Sequence, residues 1–247
     1  MKRTLLTIAA MAAAVVSASA ARTAKATLEM TLSTSDGASP ITVVDNGTGD
    51  TNPAVGQITF AGAIGNFSTV ITAGTSNSPG ANGVSILQTH NISVRDNTAS
   101  RDTLTFSMSD TGFTNPVGNS LQLGSSFAGT FLSSTSGENV TFQSYADNSN
   151  TQFGHATTSG LHSASLTNGS PAPVSFSTPD RTAAFSSTGP YSLTDVTTIS
   201  LSQNGQANVS GTTDVIAGAG APVPEPASLG VLALGSAALL AKRRRRA

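Results

Sequence analysis

The sequence predicts an all-β protein, a single two-sheet sandwich of jelly-roll type, flanked by an apolar helical segment at each end. Three observations carry that reading. Apolar and polar residues alternate with the period of two that a half-buried strand requires, as in Leu104, Phe106 and Met108 against Thr105, Ser107 and Ser109. Turn-forming clusters separate such runs, among them Asp45-Asn-Gly-Thr-Gly-Asp50, Ser78-Pro-Gly-Ala-Asn-Gly83, Ser136-Gly137 and Asn204-Gly205. Between the two ends no long stretch shows a helical period of 3.6 residues.

The elements follow in chain order. Lys2 and Arg3 precede an apolar run from Leu5 to Val16, and Ala18-Ser19-Ala20 supplies the small-x-small pattern of a cleavage site, so residues 1–26 read as a secretory signal peptide and cleavage region. Ala24-Lys25-Ala26 offers a second cut. A β-sandwich ectodomain over residues 27–210 is expected to hold strands at Thr27–Ser33, Ile41–Val44, Gln57–Ile64, Phe67–Ala73, Val84–Val94 and around Leu104–Met108. Further strands are expected at Ser120–Ser133 with an internal break, Val140–Tyr145, Val174–Ser177, Tyr191–Leu201 and Gln206–Val209. From Ala146 to Pro173 apolar anchors are sparse, which predicts a long surface loop, and residues 211–222 read as a small-residue flexible tether.

Charge is distributed unevenly. The chain has 12 Lys and Arg against 13 Asp and Glu. Within residues 27–221 the cations are Arg95, Arg101 and Arg181 alone, against twelve acids, a net charge of −9. An acidic body of this kind disfavours nucleic acid and anionic membranes as partners. Cysteine is absent, which excludes disulfides, thiolate nucleophiles and thiolate metal sites.

Catalytic parts are few. His90, His155 and His162 are the only histidines, and their spacing matches neither a zinc helix pair nor a compact metal hairpin. No nucleophile elbow and no phosphate loop occurs. Two Tyr and no Trp leave few platforms for the sugar rings a glycosidase must grip, so the body is expected to be non-catalytic. Loops on sandwiches carry ligands, which makes Tyr145, His155 and His162 the first places to look for a binding surface. Asp45 and Asp50 set oxygen donors around a Gly-rich turn, a weak candidate for calcium that lacks the full loop pattern. No other metal or cofactor is expected. Arg95 and Arg101 stand next to Asp96 and Asp102, where surface ion pairing is the plain expectation.

The last element, residues 223–247, is the most specific. Pro224-Glu225-Pro226 is a stiff, extended tripeptide, followed by fifteen uncharged residues from Ala227 to Ala241 and then Lys242, Arg243, Arg244, Arg245 and Arg246. As a helix the uncharged run reaches roughly 22 Å, short for a bilayer core of about 30 Å. It is expected to span where the bilayer thins and the flanking arginines snorkel, with the cations on the cytoplasmic side. In order and position this segment resembles the PEP-CTERM sorting tail of Gram-negative and related bacteria. That resemblance implies recognition and cleavage near the tail by an exosortase, a membrane-embedded cysteine enzyme. It also implies a precursor held in the inner membrane through the C-terminal helix, then a secreted body at the cell surface or in the extracellular matrix, associated with exopolysaccharide. A carbohydrate-binding module and a secreted hydrolase are the competing readings for the body.

Overall fold

The computed structural model describes residues 27–97, 100–133, 137–169 and 173–218. The expected signal peptide with Ala18 and Ala20, and the tail with Pro224, Glu225, Pro226 and Arg243 to Arg246, lie outside the described residues. Within them run β1 (Glu29–Thr34), β2 (Ile41–Val44), β3 (Gln57–Ile64), β4 (Phe67–Ser76), β5 (Val84–Asp96), β6 (Asp102–Phe113) and β7 (Gly118–Ser133). The remaining strands are β8 (Glu138–Asp147), β9 (Thr157–Leu166), β10 (Val174–Ser177), β11 (Arg181–Ser187), β12 (Tyr191–Leu201) and β13 (Gln206–Ala217).

One sheet has the order β2-β1-β6-β12-β8-β9, and the other β10-β7-β13-β5-β4-β3 with β11 also paired to β7. The strands from β5 to β8 alternate between the sheets. β12 then inserts between β6 and β8, and β13 between β5 and β7. That wrapping of one long ribbon across two sheets is the jelly-roll sandwich the alternating pattern predicts. Period-two alternation turns Leu104, Phe106 and Met108 inward from β6, Val140 and Phe142 from β8, and Leu121, Leu123, Phe127 and Phe131 from β7 into one continuous core. Phe127 and Phe142 meet across the sheets as a stacked pair with centroids 5.2 Å apart. At the hairpin before β5, Asn82 and Gly83 both take positive φ (54° and 76°), the requirement that makes Asn-Gly a turn signal.

Four expectations need correction. The stretch from Ala146 to Pro173 is not one long loop, because β9 occupies Thr157–Leu166 and pairs antiparallel with β8. β9 turns Ser159 and His162 inward where a conventional strand would show apolar residues, so its periodicity is hidden. Residues 211–217 are strand rather than tether, since β13 continues to Ala217 between β5 and β7. Small residues are required there: a Cβ on Gly211 would lie 2.4 Å from the Phe142 ring. β7 runs unbroken through Gly124 and Ser125, and β11 forms at Arg181–Ser187 with Phe185 as its one large buried side chain.

Candidate functional site

The polar chemistry gathers along one edge of the sandwich, where β9 of the first sheet faces β7 and β11 of the second. Arg181 on β11 lies across Gly160 on β9, where a Cβ would sit 3.4 Å from the arginine Cδ. Beneath it Ser125 Oγ is 2.7 Å from His162 Nε2, and His162 Nδ1 is 2.6 Å from Thr178 Oγ1. Thr178 donates its single hydroxyl proton to the Phe127 carbonyl at 3.0 Å. The Nδ1 proton of the imidazole therefore donates to Thr178, and Nε2 accepts from Ser125. Ser159, 2.7 Å from Ser125 Oγ, then donates to it. Burial, followed by the Arg181 charge, holds the His162 pKa below its ordinary value, consistent with a neutral ring.

This polarity is that of a nucleophile and its general base. Its position is different. His162 is 0 % and Ser125 3 % exposed, so no outside carbonyl reaches Oγ while β9 is in place. Thr178 replaces the carboxylate that would stabilise an imidazolium. The chain of hydrogen bonds ties β9 to β7 instead.

The other two candidates come together on the outside. Tyr145 on β8 and His155 in the β8–β9 connection stack with centroids 4.0 Å apart and planes at 24°. The connection that carries His155 is anchored: Phe153 N donates to Ser109 Oγ at 2.9 Å, Gln152 Nε2 to the Ser109 carbonyl at 2.8 Å, and Ser192 Oγ to the Thr151 carbonyl at 2.6 Å. Next to it along the same edge, a groove of about 350 Å³ is lined by Asn119, Asn148 and residues Ser186 to Pro190. It adjoins a second of about 230 Å³, lined by Thr157, Ala184 and Phe185 and sharing Asn119, Asn148 and Ser186. Sequence reasoning missed this groove, because Asn119 opens β7 of one sheet and Asn148 follows β8 of the other. No local motif joins them.

Acids elsewhere have structural partners. Asp50 accepts backbone N–H groups from Asn46, Asn52 and Thr59 at 2.9 Å each, and Asp45 accepts that of Gly56 at 2.8 Å. The two carboxylates clamp the turn by accepting N–H groups, which occupy oxygen lone pairs that a cation would use. Among the described residues no three His, Cys, Asp or Glu side chains converge to hold a metal. Asp96 and Asp102 are buried, and Asp102 Oδ2 accepts from Asn66 Nδ2 at 2.8 Å. At the centre of the core Asp195 accepts from the Thr213 hydroxyl, which also bonds Ser144, while Asp195 Oδ2 and Thr197 Oγ1 have no partner among the described residues. Burial raises the Asp195 pKa well above its ordinary value, which favours the protonated, neutral form. Burial likewise pushes Asp110 up to about 6.

Residues 222–246 match the PEP-CTERM protein-sorting motif. The chain carries a PEP-CTERM sorting tail. The motif implies an exported protein that is processed by an exosortase, as the order Pro-Glu-Pro, apolar segment and arginines indicates. No curated protein matches the sequence. Among solved structures, a carbohydrate-binding module in complex with β-1,4-galactotriose aligns at 9 % identity and TM-score 0.29, over 57 % of this chain and 85 % of that one. A carbohydrate-binding module described for mannan recognition aligns at 8 % identity and TM-score 0.27, over 61 % and 88 %. The VP2 subviral particle of infectious bursal disease virus aligns at 14 % identity and TM-score 0.20, over 89 % and 72 %. Scores this low leave the fold resting on the strand pairing itself.

Proposed function

We propose that the protein is a non-catalytic component of the cell surface or extracellular matrix that associates with exopolysaccharide and is delivered there by its PEP-CTERM tail. The observation that carries the reading is the tail at residues 222–246 joined to an acidic all-β body. The Ser125–His162 pair supports it, being sealed inside the sandwich as a strand tie rather than opened to a substrate.

Delivery follows from the physical order of the tail. The signal peptide directs the body across the inner membrane. The apolar segment Leu229 to Ala241 then stalls in the bilayer, with Arg243 to Arg246 held on the cytoplasmic side. Pro224 and Pro226 keep the intervening Glu225 extended and outside any helix, accessible to the processing enzyme. Cleavage removes the cationic end and releases or transfers an acidic domain. The test is replacement of Glu225 by Ala, or deletion of residues 243–246, in the native host. An unprocessed or mislocalised precursor is expected, and an unchanged mature mass and location in both variants contradicts the reading.

A further inference from the structure

We propose that the groove between Asn119, Asn148 and the Ser186–Pro190 turn is the site at which the protein binds a neutral, uncharged polysaccharide. The inference rests on the exopolysaccharide association proposed above and gives it a place and a ligand class.

The argument starts from hydrogen-bond commitments. Several carboxamides at the turns are committed to the fold: Asn77 bonds the Val84 carbonyl and the Ile86 N–H, Asn150 accepts from Gly112 N at 2.7 Å, and Asn66 bonds Asp102. Asn119 and Asn148 differ. Neither carboxamide hydrogen-bonds to a described residue, and the same holds for the side-chain hydroxyls of Ser186 and Thr157 on the groove wall. Two carboxamides and two hydroxyls facing one concavity offer paired donors and acceptors, the pattern that vicinal sugar hydroxyls match.

Beneath the adjoining hollow the core is firm. Phe185, 6 % exposed, lines that hollow and is held edge-on against Tyr191, centroids 5.2 Å apart at 70°, and Tyr191 stacks on Phe113 at 5.7 Å. Pro190 adds an apolar ring to the lining of the main groove. Thr157 of the adjoining hollow pairs with the inward-facing Ala146 on β8, while the next pair, Tyr145 and Thr158, points to the opposite face of the sheet, where Tyr145 stacks with His155. A sugar chain thus meets carboxamides and hydroxyls along the groove wall.

Charge decides the class of polysaccharide. Every groove residue is neutral, while the body around it carries three Arg against twelve acids. Uronate or sulfate groups meet no cation in the groove and repulsion from the domain. Neutral hexose units meet neither penalty.

The test uses the mature protein purified from its native host, in affinity electrophoresis through dextran, galactomannan, alginate and the host's own exopolysaccharide. Retention by at least one neutral polymer and none by alginate is expected. The double variant N119A/N148A should lose about tenfold in affinity or more while its unfolding midpoint stays in place. S186Y, which fills the groove mouth from an exposed position, should do the same and serves if the double variant fails to fold. Retention by a neutral polymer that both variants keep overturns the groove and leaves the polysaccharide association standing. Retention by alginate alone overturns the neutral class. No retention on any polymer, the host's own included, overturns both.

Discussion

The tail and the sandwich store their information in different ways. The tail is read in linear order: a stiff Pro-Glu-Pro, an apolar run and a cationic stop lie within residues 222–246 and require no fold to be recognised. The sandwich works by juxtaposition, because Ser125 and His162, or Asn119 and Asn148, become neighbours only after two sheets close on each other. Changes in the tail are therefore expected to alter destination and leave stability alone. Changes in the body are expected to do the reverse.

Deletion of residues 243–246 is the most severe test of that division. Processing should be lost in essentially all molecules, with no change in the urea midpoint of the domain. A destabilised domain would break the comparison.

Within the body the largest effect is expected at His162. Replacing it by Ala leaves Ser125 and Thr178 without their partner and opens a cavity beside Phe127 and Phe142, at a cost of about 3 kcal/mol or more. Thermal unfolding should fall by roughly 10 °C, with export and processing intact in the molecules that fold. Gly211→Ala comes next, because its Cβ would meet the Phe142 ring at 2.4 Å, and overpacking of this kind costs about 1–3 kcal/mol.

Asp195→Asn is expected to show itself as a slope. The folded-state pKa of Asp195 is raised above its ordinary value of 3.8, so its contribution is fully present below that pH. It is lost as pH rises toward the folded value, while the unfolded chain ionises freely. The parent protein should therefore lose stability relative to the Asn variant as pH climbs from 4, measured by urea midpoints across pH 4–8. Parallel profiles would show that the buried carboxyl is not held neutral. Asn119→Ala and Asn148→Ala should have the smallest effect, within about 0.5 kcal/mol each, since neither side chain holds the fold.

The same division explains what was legible beforehand. β2, β3, β10 and β12 have the bounds expected from alternation, because their residue pattern and turns point one way. β9 was hidden because its inward positions include Ser159 and His162, polar groups whose partners come from β7 and the Thr178 segment. The end of β13 looked like a tether because Gly211 and Thr213 are not large apolar residues: Gly211 has its size set by Phe142 on another strand, and Thr213 is buried on hydrogen bonds to Ser144 and Asp195. Tyr145 and His155 were visible as candidates and do meet, whereas His162 turned inward. The groove had no linear trace, since each wall belongs to a different sheet.

The most direct test of the whole account is the intact mass of the protein recovered from the surface of its native host. A species that has lost residues 1–20 or 1–26 and everything C-terminal to the Pro-Glu-Pro region is the expected result. A surface species that still carries Arg243 to Arg246 would contradict it.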